Sequence, residues 1–226
     1  MATSSLEFPS SVTPPFDIST FDHTPYYCEE NVYLLCNKLC KIGVADAKGS
    51  DLFVVFISNE KKQASGTACK ASKRADGVVL WDYHVVCVQR KGIGDTPDQV
   101  WDLDSSLPFP TPLAHYISET IRPSFQLFPD YHRLCRIVHA PIFLCFFASD
   151  RRHMKDSVGN WIEQPPACEP IIAEDGTVHN LDEYIDICAA NVVTKFGDDL
   201  INAVFSHKLG VVVSENQLAD FFSLIS

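Results

Sequence analysis

The run VVLWDYHVVCVQ (78–89) restricts the fold more than any other segment. Its β-branched and aromatic residues read as one long strand. The turn-rich stretch KGIGDTPD connects it to a second strand-like run, QVWDLD (99–104). Two strands joined by so short a Gly/Pro/Asp loop are most simply an antiparallel hairpin. DLFVVFIS (51–58) reads as a further, buried strand. Ahead of it, Val32, Leu35, Cys36 and Leu39 recur at spacings of 3, 4 and 7, one face of an amphipathic helix from Cys28 to about Cys40. Gly43 stands just past its end as a stop.

The rest of the chain supplies more helices. The polar stretch 59–77 reads as a surface loop. After LPFPTP breaks the sheet, PLAHYISETIR (112–122) reads as a helix and RLCRIVHA (133–140) as a strand. FASDRRHMKDSVGNWIEQPP is irregular and polar. Asn180 with Glu183, and Ser214 with Gln217, have the spacing of capping boxes that open late helices. The expected fold class is α+β: a mainly antiparallel sheet packed on an N-terminal helix, with further helices covering it. Residues 1–24, rich in Ser, Thr and Pro, read as a flexible tail. Residues 25–226 read as a single catalytic domain.

Charge and cysteine usage exclude several functions. A net charge of −11, with no Lys/Arg cluster, is unsuited to neutralising phosphates, so no nucleic-acid partner is expected. The longest apolar run, IFLCFFA (142–148), is far short of the roughly 20 residues that span a bilayer, so no membrane partner is expected either. The N-terminus lacks the basic start and apolar core of a signal peptide. Nine cysteines, none in a CxxC pair and most inside apolar runs, suit a reduced cytoplasmic or nuclear compartment. Cys36 and Cys40 are four apart on one helix but have no matching Cys or His pair, so no metal and no cofactor are expected.

Against that background three groups can make chemistry. Cys28 opens the first helix, where unpaired amides and the helix dipole favour a thiolate and could hold an oxyanion. Glu29 and Glu30 would oppose this, and are expected to point away from the sulfur or towards substrate. His84, in the long strand, is the candidate base. Strand alternation puts Asp82 and His84 on one face, and Asp102 and Asp104 on one face of the next strand. Either Asp102 or Asp104 could therefore orient the imidazole, and spacing does not choose between them.

Five blocks in chain order then match something specific: YCEEN (27–31), VFISNE (55–60), WDYHVV (81–86), DLDSSLPFP (102–110) and FASDRRHMKDSVGNW (147–161). Together they resemble the protein N-terminal glutamine amidohydrolases from about residue 26 to 166, and NLDEYI (180–185) fits that family's closing region. The resemblance implies a papain/transglutaminase-like fold with a Cys-His-Asp triad. Carried over by motif, its nucleophile is Cys28, its base His84 and its acid Asp102. It implies hydrolysis of an N-terminal glutamine side chain to glutamate with release of ammonia, feeding the arginylation branch of N-terminal-dependent degradation. The partners implied are peptides and proteins that begin with Gln, and a monomer is expected. Loop 61–77, the stretch 187–213 and the tail depart from the family pattern. A transglutaminase- or papain-like acyltransferase or protease, and an inactive module that binds N-termini, are the alternatives.

Selecting a free N-terminus calls for a group that receives the α-ammonium, because an unpaired ammonium in a pocket is costly. Glu29, Glu30, Asp104 and Asp150 offer carboxylates and Ser149 a hydroxyl.

Overall fold

The computed structural model describes residues 16–74, 77–92, 96–124 and 128–225. Strand β1 (Leu52–Ser58) is buried along its whole length. A strand with no polar face is stable only when covered on both sides, and the sheet is built to do that. Its order is β6 (Thr111–Pro112), β5 (Gln99–Trp101), β4 (His84–Gln89), β1, β7 (Leu134–His139) and β8 (Val211–Ser214). Every neighbouring pair is antiparallel.

Period-two alternation sorts the strand residues into two cores. On one face Val54, Phe56, Val85 and Cys87 pack with Val32, Leu35, Cys36 and Leu39 of helix α1 (Cys28–Lys41). Helices α3 (Ala140–Phe146) and α4 (Leu181–Ile185) complete that layer. On the other face Phe53, Val55, Ile57, Val86 and Val88 meet α2 (Leu113–Tyr116), α5 (Asp198–Val204) and α6 (Leu218–Leu224). Each fully buried Val, Leu, Ile or Phe contributes about 1.5–3 kcal/mol, so these two layers hold the sheet rigid. The result is a mixed α/β protein whose six-stranded sheet is antiparallel with helices on both faces. The hairpin expected from KGIGDTPD is formed, with Cys87 opposite Trp101. Residues 93–95 of that turn lie outside the described residues.

Several local expectations are corrected. The run 78–89 is two strands rather than one: β3 (Val79–Trp81) leaves the main sheet and pairs with β2 (Ala64–Gly66). The break falls at Asp82, whose carbonyl accepts the Ser58 hydroxyl at 2.6 Å and whose side chain is exposed. Alternation cannot be counted across that break. The stretch 59–77 is therefore not all surface loop, since β2 within it is buried. Residues 75–76 lie outside the described residues. Gly66 there is pressed against the Trp81 indole, and a Cβ would come within 1.9 Å of the ring.

The run 99–104 stops as a strand at Trp101, because the Asp102 carboxylate captures the Asp104 N–H at 2.9 Å and starts a turn. The helix expected at 112–122 is the single α-turn α2 followed by a π-turn, Ile117–Ile121, that ends at Arg122 in the left-handed region. At 133–140 the strand ends at His139, and Ala140 already opens α3 with Pro141 in its first turn. Asn180 makes no side-chain cap; its amide is used between the Ala148 N–H and the Phe146 carbonyl. The Ser214–Gln217 capping box does form, over a short 3-10 turn that leads into α6.

Of the expected tail, residues 1–15 lie outside the described residues. Residues 16–24 lie on the sheet: Phe21 is buried, 5.3 Å from the Phe109 ring and 6.1 Å from Trp101. Composition hides this anchor because a percentage does not say which of the segment's three phenylalanines is packed.

Candidate active site

Helix α1 begins at Cys28, and its first turn meets the start of β4, where the Val85 amide donates to the Cys28 sulfur. His84 is the first residue of β4. Asp102 is the first residue after β5, at the same end of the hairpin. The antiparallel register thus brings the two together: His84 Nε2 lies 3.0 Å from Asp102 Oδ2. Asp102 is held in place from two more sides. The Tyr116 hydroxyl donates to Oδ2 at 2.8 Å and the Asp104 amide to Oδ1 at 2.9 Å. The Trp81 indole stacks on the His84 ring at 4.6 Å between centroids, with 20° between planes. Cys28, His84 and Asp102 are all buried, yet Cys28 and His84 line a common cavity of about 620 Å³.

The electrostatics divide cleanly. Burial raises the Asp102 carboxyl, but the His84 imidazole and the donors from His84, Tyr116 and Asp104 outweigh it, and the net direction is down. Burial opposes a charged His84, but Asp102 outweighs that, and the imidazole becomes a stronger base than usual. Cys28 goes the opposite way from expectation. Burial, followed by the charge of Glu29, pushes its thiol well above the ordinary range, against the Val85 amide. A helix start is worth about 0.3–1 kcal/mol, less than a single pKa unit, and does not offset the burial. The resting site holds a thiol and a basic imidazole on the wall of one cavity.

The other candidate residues separate. Glu29 does not turn away from the sulfur: its Oε2 is 3.7 Å from Cys28 Sγ and accepts the Tyr83 hydroxyl at 3.0 Å. Glu30 is fully buried and gripped by Arg151, whose Nε and Nη2 donate to its two oxygens at 2.8 and 2.7 Å. The Ser149 hydroxyl is buried and accepts the Ile171 N–H at 2.7 Å. Asp150 is paired with Arg152, which holds its carboxyl down at about 2. None of these four lines the large cavity, whereas Asp104 does, with His23 at 2.8 Å from its carboxylate. Replacing Arg151 with leucine would orphan the buried Glu30 charge, and a loss of about 3–5 kcal/mol in unfolding free energy is expected by denaturant titration.

Cys36 lies 3.7 Å from the Cys87 sulfur in the core rather than in a cluster with Cys40. Among the described residues no group of three or more His, Cys, Asp or Glu could hold a metal ion. No helix there is long and apolar enough to cross a membrane.

Sequence reasoning missed the neighbours that fix the site. Tyr116 reaches Asp102 from another element, and no local pattern announces it. Trp81 and Tyr83 adjoin His84 in the chain, but nothing in the run says that one stacks on the imidazole and the other reaches Glu29. Asp82, expected beside His84 on a strand face, instead presents an exposed carboxylate at the cavity wall.

Comparison with known proteins gives this arrangement a context. The model of a family described as N-terminal glutamine amidase matches residues 23–222. A protein N-terminal glutamine amidohydrolase of Arabidopsis thaliana is 62% identical over 92% of this chain and 94% of its own length. That of Oryza sativa subsp. indica is 53% identical over 92% of this chain and 89% of its own. That of Drosophila melanogaster is 37% identical over 76% and 82%. A match that runs from the packed segment before α1 into α6, with the buried His84–Asp102 pair inside it, makes the chain a member of the N-terminal glutamine amidase family.

Proposed function

We propose that this chain hydrolyses the side-chain amide of an N-terminal glutamine, with Cys28 as nucleophile, His84 as base and acid, and Asp102 as the group that orients His84. The observation that carries this is the contact of His84 Nε2 with the buried Asp102, behind the wall of a cavity that His84 and Cys28 both line. With Nε2 engaged, Nδ1 is the nitrogen free to take the thiol proton. The sulfur attacks the carboxamide carbon, and His84 returns the proton to the departing ammonia. Water, activated by the same imidazole, then hydrolyses the thioester to glutamate. The Cys28 N–H, a first-turn amide without an intrahelical partner, is one donor to the oxyanion. A nucleophile on a helix facing a His–Asp pair on an antiparallel sheet is the papain/transglutaminase type of arrangement.

Residues 25–226 act as one catalytic unit and work as a monomer. The described cysteines are all free thiols, which fits a reduced cytoplasmic or nuclear compartment. The product, an N-terminal glutamate, suits the arginylation step of N-terminal-dependent degradation.

The cavity sets the specificity. Asp82 and Asp104 are the carboxylates on its wall, and Asp82 has the freer of the two. An ammonium placed there gains a partner that an acetylated N-terminus cannot use. Ammonia release is expected from a Gln-initiated peptide but not from its acetylated form or from an internal glutamine. Peptide-bond cleavage or amine incorporation would overturn the reading. Asp82→Asn is expected to raise KM about tenfold or more while kcat changes little, since the lost contact amounts to about 1.5–3 kcal/mol.

A further inference from the structure

One carboxyl in the site has no role in the reaction as described. Glu29 is 1% exposed and lies behind the cavity rather than in its wall. Its Oε2 faces both the Cys28 sulfur at 3.7 Å and the Tyr83 hydroxyl at 3.0 Å. Among the described residues no cation pairs with it, because the nearby Arg151 is taken by Glu30. When Cys28 passes its proton to His84, an ionised Glu29 would leave two buried negative charges 3.7 Å apart. A protonated Glu29 would instead donate its proton towards the new thiolate.

We propose that Glu29 is a positioning residue that works as a neutral acid, hydrogen-bonding the Cys28 thiolate, and that its ionisation switches the nucleophile off. This rests on the reading of Cys28 as the nucleophile. The surroundings support it. Burial, ahead of every other influence, pushes the Glu29 carboxyl up to about 7, with Glu30 adding to it and Tyr83, Cys28 and a backbone amide acting against it. The groups that face this cluster are Glu30 and Tyr27 on the α1 side, Tyr83 and Asp82 before β4, and Asp102 and Asp104 after β5. The imidazoles that line the cavity are His23, which contacts Asp104, His84, and His153, which packs against Tyr83.

The sign follows directly. A carboxyl titrating at about 7 is mostly neutral at about pH 6 and about nine-tenths ionised at about pH 8. The fraction of enzyme able to form the thiolate therefore falls across that interval. Glu29→Gln keeps a hydrogen-bond donor and removes the titration.

The test is the iodoacetamide alkylation rate of Cys28 in the full-length chain, followed on the tryptic peptide that ends at Lys38, with fragmentation to separate Cys28 from Cys36 on the same peptide. Glu29→Gln is expected to match the wild type within about twofold at about pH 6 and to react about tenfold faster at about pH 8. A ratio that is the same at both pH values overturns the proposal, because a merely structural role moves both rates alike. A raised KM with an unaltered alkylation profile also overturns it, in favour of a contact with the substrate ammonium. If Glu29→Gln does not fold, Tyr83→Phe decides. It removes a donor that favours the ionised carboxyl, so a gain of the same sign but smaller is expected at about pH 8, and no gain rejects the idea. Full turnover by Cys28→Ala would instead remove the underlying nucleophile assignment, a separate outcome.

Discussion

Cys28→Ala is expected to abolish ammonia release from a Gln-initiated peptide, by about 10⁵- to 10⁶-fold in kcat, with the protein still folded. The size follows from the chemistry. Without the sulfur no thioester forms, and the remaining groups can only bind substrate and polarise its amide. The fold should tolerate the change, because Cys28 lies at the first position of α1 and the helix is held by Val32, Leu35, Cys36 and Leu39 further along. Circular dichroism unchanged from wild type, together with a flat ammonia trace, is the expected pair of readings. A tenfold loss alone would mean that another group carries the reaction.

Asp102→Asn is the second large effect, about 10⁴-fold in kcat. Both Asp102 oxygens accept hydrogen bonds, from His84 and Tyr116 on one side and from the Asp104 amide on the other. An asparagine must turn its NH2 towards one of these donors. Facing His84, it demands an unprotonated Nε2, which places the ring proton on Nδ1 where the thiol proton has to go. Facing the Asp104 amide, it sets two donors against each other and loosens the turn that holds residue 102. Either orientation costs the base its tautomer or its position. Steady-state kinetics on the folded variant checks this: kcat should fall by that order while KM stays near wild type. Equal losses in kcat and binding would point to a collapsed cavity instead.

The parts of the fold carried by local periodicity were readable from the chain. The amphipathic stripe of α1 and the apolar run of β1 lie where their residue patterns put them. The turn-rich linker and flanking strands gave the hairpin, and with it the meeting of His84 with one of two aspartates, which the coordinates show to be Asp102. What stayed hidden depends on contacts distant in sequence. The strand break at Asp82 arises from a hydroxyl 24 residues away. Asn180 abandons its capping role for partners 32 and 34 residues earlier. The Cys28 thiol is the instructive case, because the helix-start rule is sound but small, and burial beside Glu29 exceeds it. Choosing between Asp102 and Asp104 likewise needed coordinates or kinship. Spacing counts both aspartates on one strand face, while the real chain has already turned at Asp102.

The most direct test is to mix wild-type enzyme with a Gln-initiated peptide, quench in acid within the first turnovers, and weigh the protein. A covalent species at the mass of enzyme plus peptide less one ammonia, localised by fragmentation to Cys28 rather than to Cys36 of the same tryptic peptide, is the predicted result. Steady ammonia release with no such species, undiminished in Cys28→Ala, would contradict the account.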